Sequence, residues 1–173
     1  MLLIFLSLIY IKRKGIKQIP IKKIASFDGI EEGINRAVEM GKNVHFTVGF
    51  GSLTTDKGPQ YLAGLNVLAY TARLCAEKGV RLISTFGVPE LVYSEEEIIR
   101  NAYQSCGRPE LYDVTYNVRY LTNQQYAYAS AVQAIIQREN VGTNICIGPF
   151  LGEAIIFMES AALAGAFNIA GTA

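Results

Sequence analysis

The chain has no tryptophan, a single histidine at His45, three cysteines and five prolines among its 173 residues. Each scarcity removes a class of chemistry. One histidine leaves no His cluster for zinc or non-haem iron, and it makes a Ser-His-Asp triad depend on one residue. Cys75, Cys106 and Cys146 are odd in number, widely spaced and without a C-x-x-C pair. Neither a disulfide framework nor a thiolate metal site is indicated, no metal is expected, and a reducing compartment is the simpler reading. An excess of one charge is missing too: 16 basic residues stand against 15 acidic ones, for a formal net charge of +1. No global field favours nucleic acid, and none is expected as a partner. No apolar run reaches the roughly 20 residues that a helix needs to cross a bilayer.

What is present is a contrast. An apolar stretch, Met1 to Ile11, stops at Lys12-Arg13-Lys14, and Lys17, Lys22 and Lys23 follow before any acidic residue appears. A helix over the apolar stretch would rise about 16 Å against roughly 30 Å of hydrocarbon, so alone it is too short to span. A cleaved signal peptide fits poorly, because the charge follows the apolar run and no small-residue cleavage site appears. The segment reads as the end of a membrane anchor, residues 1–14, with a basic linker over 15–27 and an α/β domain over 28–173. The Lys/Arg cluster marks the cytoplasmic side and suits anionic headgroups, so the domain is expected at the membrane, facing the cytoplasm. The alternative is a buried first strand.

Half of the chain is apolar, enough for one sizeable core. Asp28 with Glu31 opens a helix that Gly41 closes, and Asn43 to Gly49 reads as a strand. Leu62, Leu65, Leu68, Ala72 and Cys75 form a helical stripe ending before Gly79, followed by a strand over Val80 to Phe86. Ser94 with Glu97, and Thr122 with Gln125, predict two more helices through capping boxes; a weaker strand from about Val114 to Leu121 separates them. Asn144 to Ile147 is the next strand. A helix beginning at Gly152-Glu153 is apolar nearly all round, which requires cover on two sides, and a strand at Phe167 to Ala170 ends the series. Strands separated by helices of ten or more residues require right-handed crossovers, so the expected fold is a doubly wound, Rossmann-like three-layer sandwich on a mostly parallel sheet of about five strands. With no helix after the last strand, the native chain is expected to continue past Ala173, and the apolar last helix points to a homo-oligomer.

Ligands of such sheets collect at the carboxyl ends of the strands. The first such end, with Gly49, Gly51, Ser52, Thr54 and Thr55, offers close backbone approach, hydroxyl donors and a following helix amino terminus, and so could hold a small anion. Its spacing is G-x-G-x-x-T rather than a dinucleotide or P-loop fingerprint, and a plain structural turn is the simpler explanation. The second end, with Gly148, Gly152 and Glu153, sets a carboxylate at a helix start, as a general base or as a partner of the macrodipole. His45 lies inside a strand, on the same face as Thr47. Glu95, Glu96 and Glu97 read as an acidic first turn. No residue set specifies a catalytic role or a cofactor.

The string Asn43-Val44-His45-Phe46-Thr47-Val48-Gly49-Phe50-Gly51-Ser52-Leu53, the segment Gln125-Tyr126-Ala127-Tyr128-Ala129 and the ending Ile169-Ala170-Gly171-Thr172 resemble an uncharacterised prokaryotic family of membrane-anchored proteins with an α/β domain of unknown function. The resemblance runs from about Ile24 to the end and implies the tether and the fold, but no reaction. Two functions compete. One is a membrane-anchored, self-associating binding or assembly domain. The other is an enzyme for a small anionic or nucleotide-like substrate, with Ser52, Thr54 and Thr55 on the anion and Glu153 or His45 moving a proton. The second needs those groups in one concave pocket.

Overall fold

A computed structural model describes residues 25–171, so the expected anchor and most of the linker lie outside the described residues. The domain is an α/β sandwich around five parallel strands in the order β3-β2-β1-β4-β5. In chain order the elements are α1 (Ala25–Glu39), β1 (Asn43–Phe50), α2 (Gly58–Lys78), β2 (Leu82–Gly87), α3 (Val92–Ser105), α4 (Val114–Asn117), β3 (Val118–Tyr120), α5 (Gln125–Arg138), β4 (Val141–Ile147), α6 (Glu153–Leu163) and β5 (Phe167–Gly171), with 3₁₀ turns at Pro89–Leu91 and Pro109–Leu111. Among the described residues no helix is long and apolar enough to cross a membrane.

The strand order reverses at β1. The chain steps outward from β1 to β2 and β3, then returns to place β4 on the other side of β1. Right-handed crossovers therefore set α2 and α3 on one face and α5 and α6 on the other. Helix α1 packs beside α2 and over β1, β4 and β5. Alternation along β1 sends Val44, Phe46 and Val48 into the larger core under α1, α2 and α3, with Leu82, Phe86 and Ile145. His45 and Thr47 face the smaller core of Tyr128, Val132, Ile136, Cys146 and Phe157 under α5 and α6.

Several boundaries move for readable reasons. Helix α1 begins at Ala25 rather than Asp28, so the last three residues assigned to the linker are helical. The capping boxes do not form: α3 follows Leu91 and α5 follows Gln124, neither with a side-chain cap. The strand expected from Val114 is partly the short helix α4, because Asp113 caps it by accepting from the Thr115 amide at 2.9 Å. Asn117 at its end donates to the Leu82 carbonyl and so leads the chain onto β2 as β3. The sheet is parallel throughout.

Candidate functional site

The switch in strand order falls between β1 and β4, whose carboxyl ends lead into the loops 51–57 and 148–152. A register shift between Thr47 and Gly49 bends β1 just before its end, and Gly49 and Gly51 take φ values of 95° and 136° that side chains disfavour. Their missing side chains make room for the protein itself. A Cβ on Gly49 would lie 3.2 Å from the Phe150 ring, one on Gly51 2.5 Å from the Tyr61 hydroxyl, and one on Gly148 2.2 Å from the Val48 carbonyl. The glycines thus bring strand ends and two aromatic rings together. Gly152 differs, since a Cβ there meets nothing within 4 Å.

The hydroxyl donors are spent nearby. Ser52 donates to Glu90 Oε1 at 2.7 Å, with Thr54 Oγ1 2.9 Å from the same hydroxyl, and Thr55 donates to the Ser52 carbonyl at 2.9 Å. The Ser52 hydroxyl and the amides of Glu90 and Leu53 hold the Glu90 carboxyl below its ordinary range. At the start of α2, Pro59 has no amide hydrogen, Gly58 donates to Thr55, and Gln60 and Tyr61 both donate to the Lys57 carbonyl. These amides are turned onto the chain rather than toward an anion. Tyr61 closes the loop by donating to the Phe50 carbonyl; burial first, then the charges of Glu153 and Glu90, raise its pKa.

Glu153 is 2% exposed. It accepts from the Leu151 amide at 2.9 Å and from Gln125 at 2.8 Å, which ties the start of α6 to the start of α5. His45 is fully buried, with Nδ1 2.7 Å from Asn144 Oδ1 and Nε2 2.9 Å from Thr85 Oγ1. Asn144 donates its amide to Asn168, which fixes Oδ1 as acceptor and places the His45 proton on Nδ1. Thr85 then donates to Nε2. Tyr128 completes the row, 2.6 Å from Thr47 Oγ1 and donating to the Thr85 carbonyl at 3.0 Å, while Thr47 accepts from the Gly49 amide. Burial, against the Asn144 hydrogen bond, lowers the His45 pKa to about 4.

Glu95 is not the solvated first-turn carboxylate that the triple glutamate suggests. It is completely buried, receives the Ser84 hydroxyl on Oε2, and has no partner at Oε1. Burial raises its pKa to about 8, with the Ser84 hydrogen bond opposing. Periodicity carries the signal: Leu91, Glu95, Ile99 and Tyr103 recur at four-residue steps, and all four are buried. Tyr128 likewise recurs with the buried Val132 and Ile136 at four-residue steps, whereas Asn144 and Thr85 carry no such mark, since each gains its partner only when strands far apart in sequence become neighbours.

The expected residues therefore form no single constellation: the loops of Ser52 and Glu153 lie at the carboxyl end of the sheet, and His45 lies inside it, near the start of β1. Ser52 belongs to a cluster with Glu90, Glu153 to one with Gln125, and His45 to the sealed row beneath α5. Among the described residues no group of three or more His, Cys, Asp or Glu side chains is placed to hold a metal ion. A family model described as a domain of unknown function matches residues 1–173. No curated protein and no solved structure matches the chain.

Proposed function

The chain belongs to that family, Domain of unknown function (DUF6754), and from this premise and the site geometry we propose a membrane-anchored binding or assembly domain whose α/β body faces the cytoplasm. One observation carries the choice of binding over catalysis: each group that catalysis would draw on is bonded into the fold. His45 lies between Asn144 and Thr85, Ser52 donates to Glu90, and Glu153 accepts from Gln125 and Leu151. A nucleophile and its base need to reach one reacting atom. The attachment rests on the apolar Met1 to Ile11 stretch and the basic residues that separate it from α1.

Vesicle flotation tests the attachment. The full chain should float with vesicles of phosphatidylcholine and phosphatidylglycerol, and a chain beginning at Gln18 should stay below; soluble behaviour of both defeats the proposal. In cells, protease added from the cytoplasmic side should reach the domain, and protection there would reverse its orientation.

Self-association is the second part of the reading, supported by the outer edge of β5, which no other strand pairs among the described residues and where Phe167 and Ile169 are half-buried, and by Leu163, 79% exposed at the end of α6. Light scattering on the chain beginning at Gln18 should show a mass above the monomer that rises with concentration. A concentration-independent monomer removes this part of the proposal.

A further inference from the structure

We infer that the corner of the domain carrying Tyr126, Leu151 and Ile155 rests in the bilayer interface, at the end of the sheet where the described chain enters the fold. The inference builds on the anchoring proposed above and adds an orientation to it. Because every strand is parallel, every crossover helix begins at the carboxyl end of the sheet. Tyr126 is the second residue of α5, Leu151 lies in the loop before α6, and Ile155 is the third residue of α6. Their exposures are 77%, 60% and 69%. Glu153 holds them in one place, since its carboxylate accepts from the Leu151 amide and from Gln125, the neighbour of Tyr126.

Charge separates this corner from the rest of the same end. Around Tyr126 and Leu151 stand Asn123, Gln124, Gln125 and Gly152, and the one carboxylate, Glu153, is buried. On the α2 and α3 side, the exposed Leu62 and Tyr93 are accompanied by Asp56, Lys57, Glu90, Glu96 and Glu97. Anionic headgroups oppose that acidic side and leave the uncharged corner to approach.

The chain enters at the same end of the sheet, on its other face. Helix α1 precedes β1 and runs against the strands, so Ala25 is at the carboxyl end. It packs over β4 and β5 on one face of the sheet, while α6 packs over the same two strands on the other. Residues 12–23, just before α1, hold six Lys or Arg and no acidic residue. A basic segment is drawn to anionic lipid, and tyrosine with aliphatic side chains settles at the level between headgroup and acyl chain. Both occur together here.

The absence of tryptophan makes a single introduced indole an unambiguous reporter. The full chain carrying Tyr126→Trp, and separately Leu163→Trp at the opposite end of α6, is bound to phosphatidylcholine–phosphatidylglycerol vesicles whose phosphatidylcholine is brominated on its acyl chains. Tyr126→Trp should shift to the blue and lose about half of its emission or more, as insertion by roughly 5–10 Å implies, while Leu163→Trp stays unquenched. Flotation of both variants with equal or no quenching overturns the docking and leaves the anchoring intact. Failure to float overturns the anchoring and the docking with it. A blue shift of Tyr126→Trp that grows with protein concentration and occurs without quenching assigns the corner to a second copy of the chain and overturns the lipid reading.

Discussion

Replacing Glu95 by glutamine should remove the alkaline sensitivity of the fold. The Glu95 carboxyl is fully buried, and burial raises its pKa from the ordinary 4.5 to about 8. In the folded chain it keeps its proton at neutral pH; in the unfolded chain it has lost it. Folding therefore takes up a proton between these values, and stability falls as pH rises through that window at about 1.4 kcal/mol per unit. The cumulative loss is roughly 3 kcal/mol near pH 7 and 4–5 kcal/mol above pH 8, set against the roughly 5–15 kcal/mol that hold a domain together. His45 acts in the opposite sense. Its pKa is lowered from 6.5 to about 4, so its contribution is complete above 6.5 and is lost as pH falls through 4, to a total of roughly 3 kcal/mol. Between about 4.5 and 6.5 the two slopes cancel, leaving a flat optimum. Urea unfolding followed by far-ultraviolet circular dichroism, at steps from about pH 5 to pH 9, measures the profile. Glu95→Gln should match the parent within about 1 kcal/mol near pH 5 and exceed it by roughly 3–5 kcal/mol near pH 8.5. Parallel profiles for the two proteins would refute a protonated Glu95.

The remaining expectations probe the strand ends and the buried row. Gly148→Ala forces a Cβ to 2.2 Å from the Val48 carbonyl and should cost about 3 kcal/mol or more in urea unfolding, whereas Gly152→Ala, with open space around it, should change stability by less than about 1 kcal/mol. Tyr128→Phe removes the hydroxyl that meets Thr47 and Thr85 and should cost about 1–3 kcal/mol, while Tyr126→Phe, on an exposed ring, should be neutral; equal effects would contradict the row. Glu90→Ala frees the Ser52 hydroxyl and the Leu53 amide, so phosphate should raise the melting temperature of this variant and not that of the parent, with the gain abolished by adding Ser52→Ala. A parent that responds to phosphate through Ser52 would show that Glu90 does not occupy the anion position.

The layers of the fold were legible because they follow from burial periodicity. Of the stripe Leu62, Leu65, Leu68, Ala72 and Cys75, the last four mark the inner face of α2 and are buried at 9% exposure or less, whereas Leu62, one turn too early, is 54% exposed. Helix ends were less legible. Ser94 and Thr122 carry the right residue types for caps, yet the chain enters α3 through the Pro89–Leu91 turn and α5 through Gln124, which places the capping position elsewhere. The last helix was read as apolar on all sides. Its inner face is Phe157, Ser160 and Ala161, and among the described residues Ile155, Ala162 and Leu163 are left exposed on the side for which a second cover was expected.

The strand-end loops show why a good reading of local chemistry can still miss its object. Ser52 and the amides of its loop were expected to converge on an anion, and they do: the anion is the carboxylate of Glu90, 38 residues away in sequence. At the second strand end the Leu151 amide and Gln125 converge in the same way on Glu153. Glu153 satisfies donors that would otherwise be left partly buried and unpaired, whereas Glu90 meets Ser52 in an exposed bond, and each links its loop to a second segment without a ligand. A small anion entering either place has to displace an internal carboxylate, whose effective concentration is high because the fold delivers it. The same arrangement frees the surface beyond it. With Glu153 turned inward, the side chains it positions at the outer corner are Tyr126 and Leu151, and contact of that corner with another phase requires no movement of the buried network beneath.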